Sequence, residues 1–116
     1  MKKVLLLVMG LILMSVSTFG EEFTSVKAKH ILVDSQSQAI QIKKDIEDGG
    51  SFDYYAKRYS KCPSGRNGGD LGYFRRGQMV KPFEDAAFNG EVGKVSDPVK
   101  TQFGWHLIMV TDKVKG

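Results

Sequence analysis

One cysteine and two histidines are the side chains of this chain best suited to chemistry near neutral pH. Cys62 opens a glycine-rich stretch, "CPSGRNGGDLG" (62–72), while His30 lies in "VKAKHILV" (26–33) and His106 in "WHLIMVTDKV" (105–114). Three readings are open. A Cys–His pair with Asp70 as orienting group would be an activated nucleophile, which needs the thiol within hydrogen-bond reach of an imidazole and donors for an oxyanion. The same side chains are metal-ligand types, but they show no metal-ligand spacing. In the third reading each histidine is a hydrogen-bonded core residue and Cys62 a small buried hydrophobe. The glycines read as a turn needing positive backbone angles at Gly68 or Gly69. They are not a phosphate loop, because no Lys–Ser/Thr pair and no helix follow at the required spacing.

The chain has 116 residues, enough for one domain at most. Its start, "MKKVLLLVMGLILMSVSTFG", places Lys2 and Lys3 before an apolar run from Val4 to Met14 and then small and polar residues. This order is expected of a secretory signal peptide over residues 1–20, cut after Gly20 or after Ser17, with 21–116 as the mature domain. The apolar run is about half the length of a membrane-crossing helix. An uncleaved anchor is the alternative. The stretch holds no cysteine for lipid attachment, so the expected location is the periplasm or the outside of a bacterium. Loss of Lys2 and Lys3 lowers the net charge from +4 to +2, too little to argue for nucleic acid. A single cysteine excludes an internal disulfide, so stability must come from packing.

The elements that must position these residues follow from periodicity. Residues 26–33 alternate and are rich in β-branched types, which predicts a strand with Val26, Ala28, His30 and Leu32 on one face and Ile31 and Val33 on the other. Residues 34–50 predict a helix with Ser35 and Gln38 as a capping box, Ala39, Ile42 and Ile46 as its apolar face and Gly49 as its stop. Residues 51–60 predict a second helix capped by Ser51, with Phe52, Tyr55, Ala56 and Tyr59 on one face. A short strand is expected at 71–76, a helix at 81–90 with Pro82 at its first position, an edge strand at 95–101 containing Pro98, and a strong strand at 105–114 carrying His106, Ile108 and Val110 on one face. This order predicts an α+β fold: a mostly antiparallel four-stranded sheet with packed helices.

Three segments carry a family resemblance: "KHILV" (29–33), "CPSGRNGGDLGYFRRGQMVKPFEDAAF" (62–88) and "TQFGWHLIMV" (101–110). In this order, and without a long insertion, they resemble the parvulin peptidyl-prolyl isomerases over nearly the whole mature chain. The resemblance implies the parvulin fold, an FKBP-like superfold in which the first and last strands are central neighbours. It implies that His30 and His106 lie side by side, bonded to each other or through Thr101, with Cys62 over them at the mouth of a groove. Leu71, Met79 and Phe83 would take the substrate proline ring, with Gln78 and Phe103 at the edge. Some relatives have Ser or Tyr in place of Phe103.

The implied activity is peptidyl-prolyl cis–trans isomerisation by rotation, without a covalent intermediate, assisting the folding of exported proteins. Rotation about the amide costs about 18–20 kcal/mol because it breaks resonance, and uncatalysed X-Pro exchange takes tens to hundreds of seconds. A dry apolar cradle favours the less charge-separated twisted amide. No bond to the substrate is made or broken, so no cofactor or metal is expected. The expected partners are proline-containing unfolded or extended polypeptides, with no nucleic acid and no stable membrane insertion, bound by a monomer. The short "DSQSQAIQI" (34–42) after the first strand has no basic residue, which speaks against phosphate selectivity; Arg66, Arg75, Arg76 and Lys81 are basic residues expected near the groove, where they would supply some residual attraction. The alternative is a peptide-binding chaperone domain whose isomerisation is incidental.

Overall fold

The computed structural model describes residues 23–115; the expected signal peptide lies outside them. The chain runs as strand β1 (Ser25–Val33), helices α1 (Gln36–Glu47) and α2 (Phe52–Tyr59), a 3-10 turn (Pro63–Asn67), strand β2 (Asp70–Arg75), helix α3 (Lys81–Asn89) and strands β3 (Val99–Thr101) and β4 (Gly104–Val114). The strands form one antiparallel sheet in the order β2-β1-β4-β3. The α+β reading holds, with β1 and β4 at the centre.

Alternation along the two central strands sorts side chains between two cores. Val26, Ala28, Ile108 and Val110 face α3 and meet Phe74, Phe83, Ala87 and Phe88. Ile31, Val33 and Leu107 face α1 and α2 and meet Ala39, Ile42, Phe52 and Ala56. Burying each of the large aliphatic chains is worth about 1.5–3 kcal/mol. His30 and His106 have the parity of the α3-facing residues.

The local signals act where the sequence places them. The Ser35 hydroxyl accepts the Gln38 N–H at 3.2 Å, and Ser51 accepts that of Tyr54 at 3.1 Å. Three expectations change. The strand expected at 95–101 shrinks to Val99–Thr101, with Val95 making only an isolated bridge to Met109, because Pro98 lacks the N–H that pairing requires. Pro82 is the second rather than the first residue of α3. Tyr59, expected on the packed face of α2, is 40% exposed.

Candidate functional site

The antiparallel register sets His30 opposite Ile108 and Leu32 opposite His106. The two histidines are thus diagonal neighbours on one face, within reach of aromatic side chains. Their Nδ1 atoms lie 3.0 Å apart, and His106 Nε2 lies 2.7 Å from Thr101 Oγ1. Thr101 also accepts the Phe103 N–H at 3.1 Å. The Nδ1–Nδ1 contact holds one proton, so one imidazole donates to the other. His30 Nε2 is buried and has no partner among the described residues.

Both imidazoles are held neutral. Burial, and then the neighbouring His106, pull the His30 pKa from 6.5 to about 4. Burial lowers that of His106 as well. The Phe83 ring stands edge-on to both, with centroids 5.4 Å from His30 and 5.2 Å from His106.

Cys62 is placed by a chain return that the sequence did not reveal. After α2, the Lys61 N–H donates to the Leu32 carbonyl at 2.7 Å, and the Ser60 hydroxyl accepts from the Leu32 and Cys62 N–H groups. These bonds pin residues 60–62 to the end of β1, beside the histidines. The 3-10 turn then leads to Gly68 and Gly69, with φ of 71° and 86°. Gly69 has no room for a side chain: a Cβ there would fall 2.2 Å from the His30 carbonyl oxygen, and the His30 N–H donates to the Gly69 carbonyl at 2.9 Å. The glycine loop is therefore the mould against which His30 is set.

The result is an open, mainly apolar groove of about 500 Å³ lined by His30, Leu32, Lys61, Cys62, Pro63, Leu71, Gln78, Met79, Val80, Phe83, Phe103 and His106. Of the expected residues, only Thr101 is outside the lining, buried behind His106. Gln78 lies at the edge with its oxygen committed to the Arg75 N–H at 2.6 Å. Phe103 is 61% exposed at the rim. Leu32, Lys61, Pro63 and Val80 belong to the lining but were not expected there. Leu32 could have been found, since it alternates with His30 on β1. Arg66, Arg75, Arg76 and Lys81 do not line the groove; among the described residues Lys61 is its only Lys or Arg, paired with Asp34 at 2.9 Å.

The nucleophile and metal readings find little here. The Cys62 sulfur accepts from the Ser64 hydroxyl at 3.2 Å and, among the described residues, has no hydrogen bond to either histidine. Asp70 is exposed, accepts the Gly72 N–H and does not line the groove. Among the described residues no group of three or more His, Cys, Asp or Glu is placed to hold a metal ion.

A small antiparallel sheet bearing two linked histidines beneath an apolar cleft defines the parvulin class of domain. Residues 12–114 match the PPIC-type PPIase domain, and the chain belongs to that family. It is 53% identical over 97 residues to the foldase protein PrsA of Exiguobacterium sibiricum, an alignment covering 82% of this chain and 32% of the relative. The crystal structure of PrsA from Bacillus anthracis superposes with a TM-score of 0.77 at 40% identity, covering 84% of this chain and 46% of that one. NmPin, the parvuline of Nitrosopumilus maritimus, superposes with a TM-score of 0.71 at 46% identity, covering 77% of this chain and 97% of that one. The chain spans about a third of the length of the curated PrsA relative it matches.

Proposed function

We propose that this chain is a peptidyl-prolyl cis–trans isomerase that assists the folding of exported polypeptides. The observation that carries this reading is the juxtaposition of the apolar cradle of Leu71, Met79 and Phe83 with the neutral, linked His30–His106 pair in one groove. The reading is supported by membership of the family and by relatives named foldases.

In this mechanism the proline ring sits in the Leu71–Met79–Phe83 cradle. The planar amide is stabilised in water by its charge separation, and the twisted amide has less of it, so removal from water lowers the barrier. The histidines act as a rigid, uncharged floor. Thr101 fixes their orientation from behind, while Cys62 borders the substrate carbonyl. A neutral imidazole whose pKa is about 4 is a poor base toward a thiol whose hydrogen bond, among the described residues, is to Ser64, so rotation proceeds without covalent attack.

Residues 1–20 act as the signal peptide and 21–116 as the working domain, a monomer in the exported compartment. Among the described residues, no helix is long and apolar enough to cross a membrane. Intact mass of the exported protein tests the boundary. Catalysed exchange of a Leu-Pro peptide, measured with the wild type and with Met79→Ala, tests the activity.

A further inference from the structure

The groove wall that holds Gln78 and Met79 is not a regular element. It is the five-residue link from β2 to α3, closed by a turn in which the Gln78 N–H approaches the Arg75 carbonyl at 3.3 Å and Gly77 takes φ of 91°. Gln78 is exposed, and Met79 and Val80 are only half-buried, so apolar burial alone fixes this link weakly. A carboxylate fixes it instead.

Glu84 rises from the first turn of α3, and its side chain is 8% exposed. One oxygen accepts the Gly77 N–H at 2.6 Å and the other accepts Arg76 Nη1 at 3.1 Å. Lys81 Nζ stands 3.9 Å away, and Asp85 shares both cations, at 2.9 Å from Lys81 and 3.9 Å from Arg76. The Arg76 guanidinium also lies over the Phe88 ring, 4.3 Å from its centroid. The Gly77 N–H, helped by Arg76 and Lys81 against the cost of burial, holds the Glu84 carboxyl below its ordinary range. A buried carboxylate is costly unless such charge-assisted bonds offset its lost hydration. Here both bonds go to the link.

We propose that Glu84 is a positioning residue of the groove: its carboxylate clamps Arg76 and Gly77 and so sets where Gln78 and Met79 stand against a bound proline. This rests on the isomerase reading of the groove. Glu84→Gln keeps the size of the side chain and a carbonyl for Gly77 but removes the charge that holds Arg76. Glu84→Ala removes both bonds.

The test has two arms. In the first, NMR spectra of the free chain follow the Gly77 amide, the Gln78 side-chain amide and the Met79 methyl. The expected result is a displaced Gly77 amide and a shifted Met79 methyl in Glu84→Gln, larger in Glu84→Ala, with the His30 and His106 ring signals unmoved. In the second, KM for a Leu-Pro peptide rises about threefold to tenfold in Glu84→Gln while kcat stays within twofold of wild type. If the wild type does not catalyse exchange, the isomerase reading falls and the first arm alone decides the clamp. Met79 signals at wild-type positions in both variants overturn the proposal, as does an unchanged KM in a chain that is active.

Discussion

His30 and His106 face each other across the central strand pair with their Nδ1 atoms 3.0 Å apart, and only one proton fits between them. Burial keeps the pair neutral near pH 7, lowering the pKa of both rings. A second proton would put charge into a site where His30 is 5% and His106 4% exposed.

The sign of the pH dependence follows. The His30 pKa is about 4 in the folded chain and 6.5 when unfolded, so between these values the unfolded chain binds more protons. Stability is fully present above pH 6.5 and is lost as pH falls toward 4. By pH 5 the loss from His30 is about 2 kcal/mol, before ordinary carboxylates titrate. Urea unfolding at pH 7.5 and 5 measures it. Equal midpoints at the two values would show that the pair is not held neutral.

Cys62→Ala is expected to lower isomerase activity about threefold to thirtyfold while leaving turnover measurable, since the thiol contacts Ser64 rather than a base. Mass spectrometry of the enzyme after turnover should show no acyl adduct. Complete loss of activity together with a trapped thioester would establish the nucleophile reading instead.

Gly69→Ala and Gly93→Ala separate two uses of glycine. Both positions have positive φ, of 86° and 88°, but a Cβ at Gly69 meets the His30 carbonyl at 2.2 Å and one at Gly93 meets nothing within 4 Å. Gly93→Ala is expected to cost about 1–2 kcal/mol from backbone strain alone. Gly69→Ala should cost at least 2 kcal/mol more and perturb the His30 ring signals. Equal destabilisation by the two would refute the mould role of the loop.

Phosphorylation before proline is expected to bring no gain. The loop after β1 offers Asp34, and Lys61, the one Lys or Arg lining the groove among the described residues, is already paired with it. A phosphate there would have to displace that carboxylate and bear its repulsion. Paired peptides differing only by phosphate on the residue before proline measure the effect. A tenfold advantage for the phosphorylated peptide, about 1.4 kcal/mol, would contradict the expectation.

Much of this fold is legible in the residues because local and global signals agree. The alternation in 26–33 and 105–114 reports which face each side chain takes, and Ser35 and Ser51 mark helix starts that the hydrogen bonds realise. The histidine pairing is different in kind. Strand periodicity places each histidine on a face, but only the β1–β4 register makes them neighbours, and register is a long-range property that the family resemblance, not spacing, supplied. The placement of Cys62 depends on Ser60 and Lys61 bonding to Leu32, across a separation no local pattern encodes. Glu84 escaped notice for a simpler reason: in sequence it reads as an ordinary acidic residue in a first helical turn, and only the folded link turns its carboxylate inward.

Catalysed cis–trans exchange of a Leu-Pro peptide tests the central claim most directly, measured by NMR exchange spectroscopy so that no coupling protease is needed. The wild-type chain is expected to speed exchange far above the uncatalysed tens to hundreds of seconds. Met79→Ala should reduce kcat/KM at least fivefold without a comparable loss of stability, because Met79 is a half-buried lining residue of the groove. Exchange at the uncatalysed rate with a wild-type chain shown to be folded, or full activity in Met79→Ala, would contradict the assignment of this groove as an isomerase site.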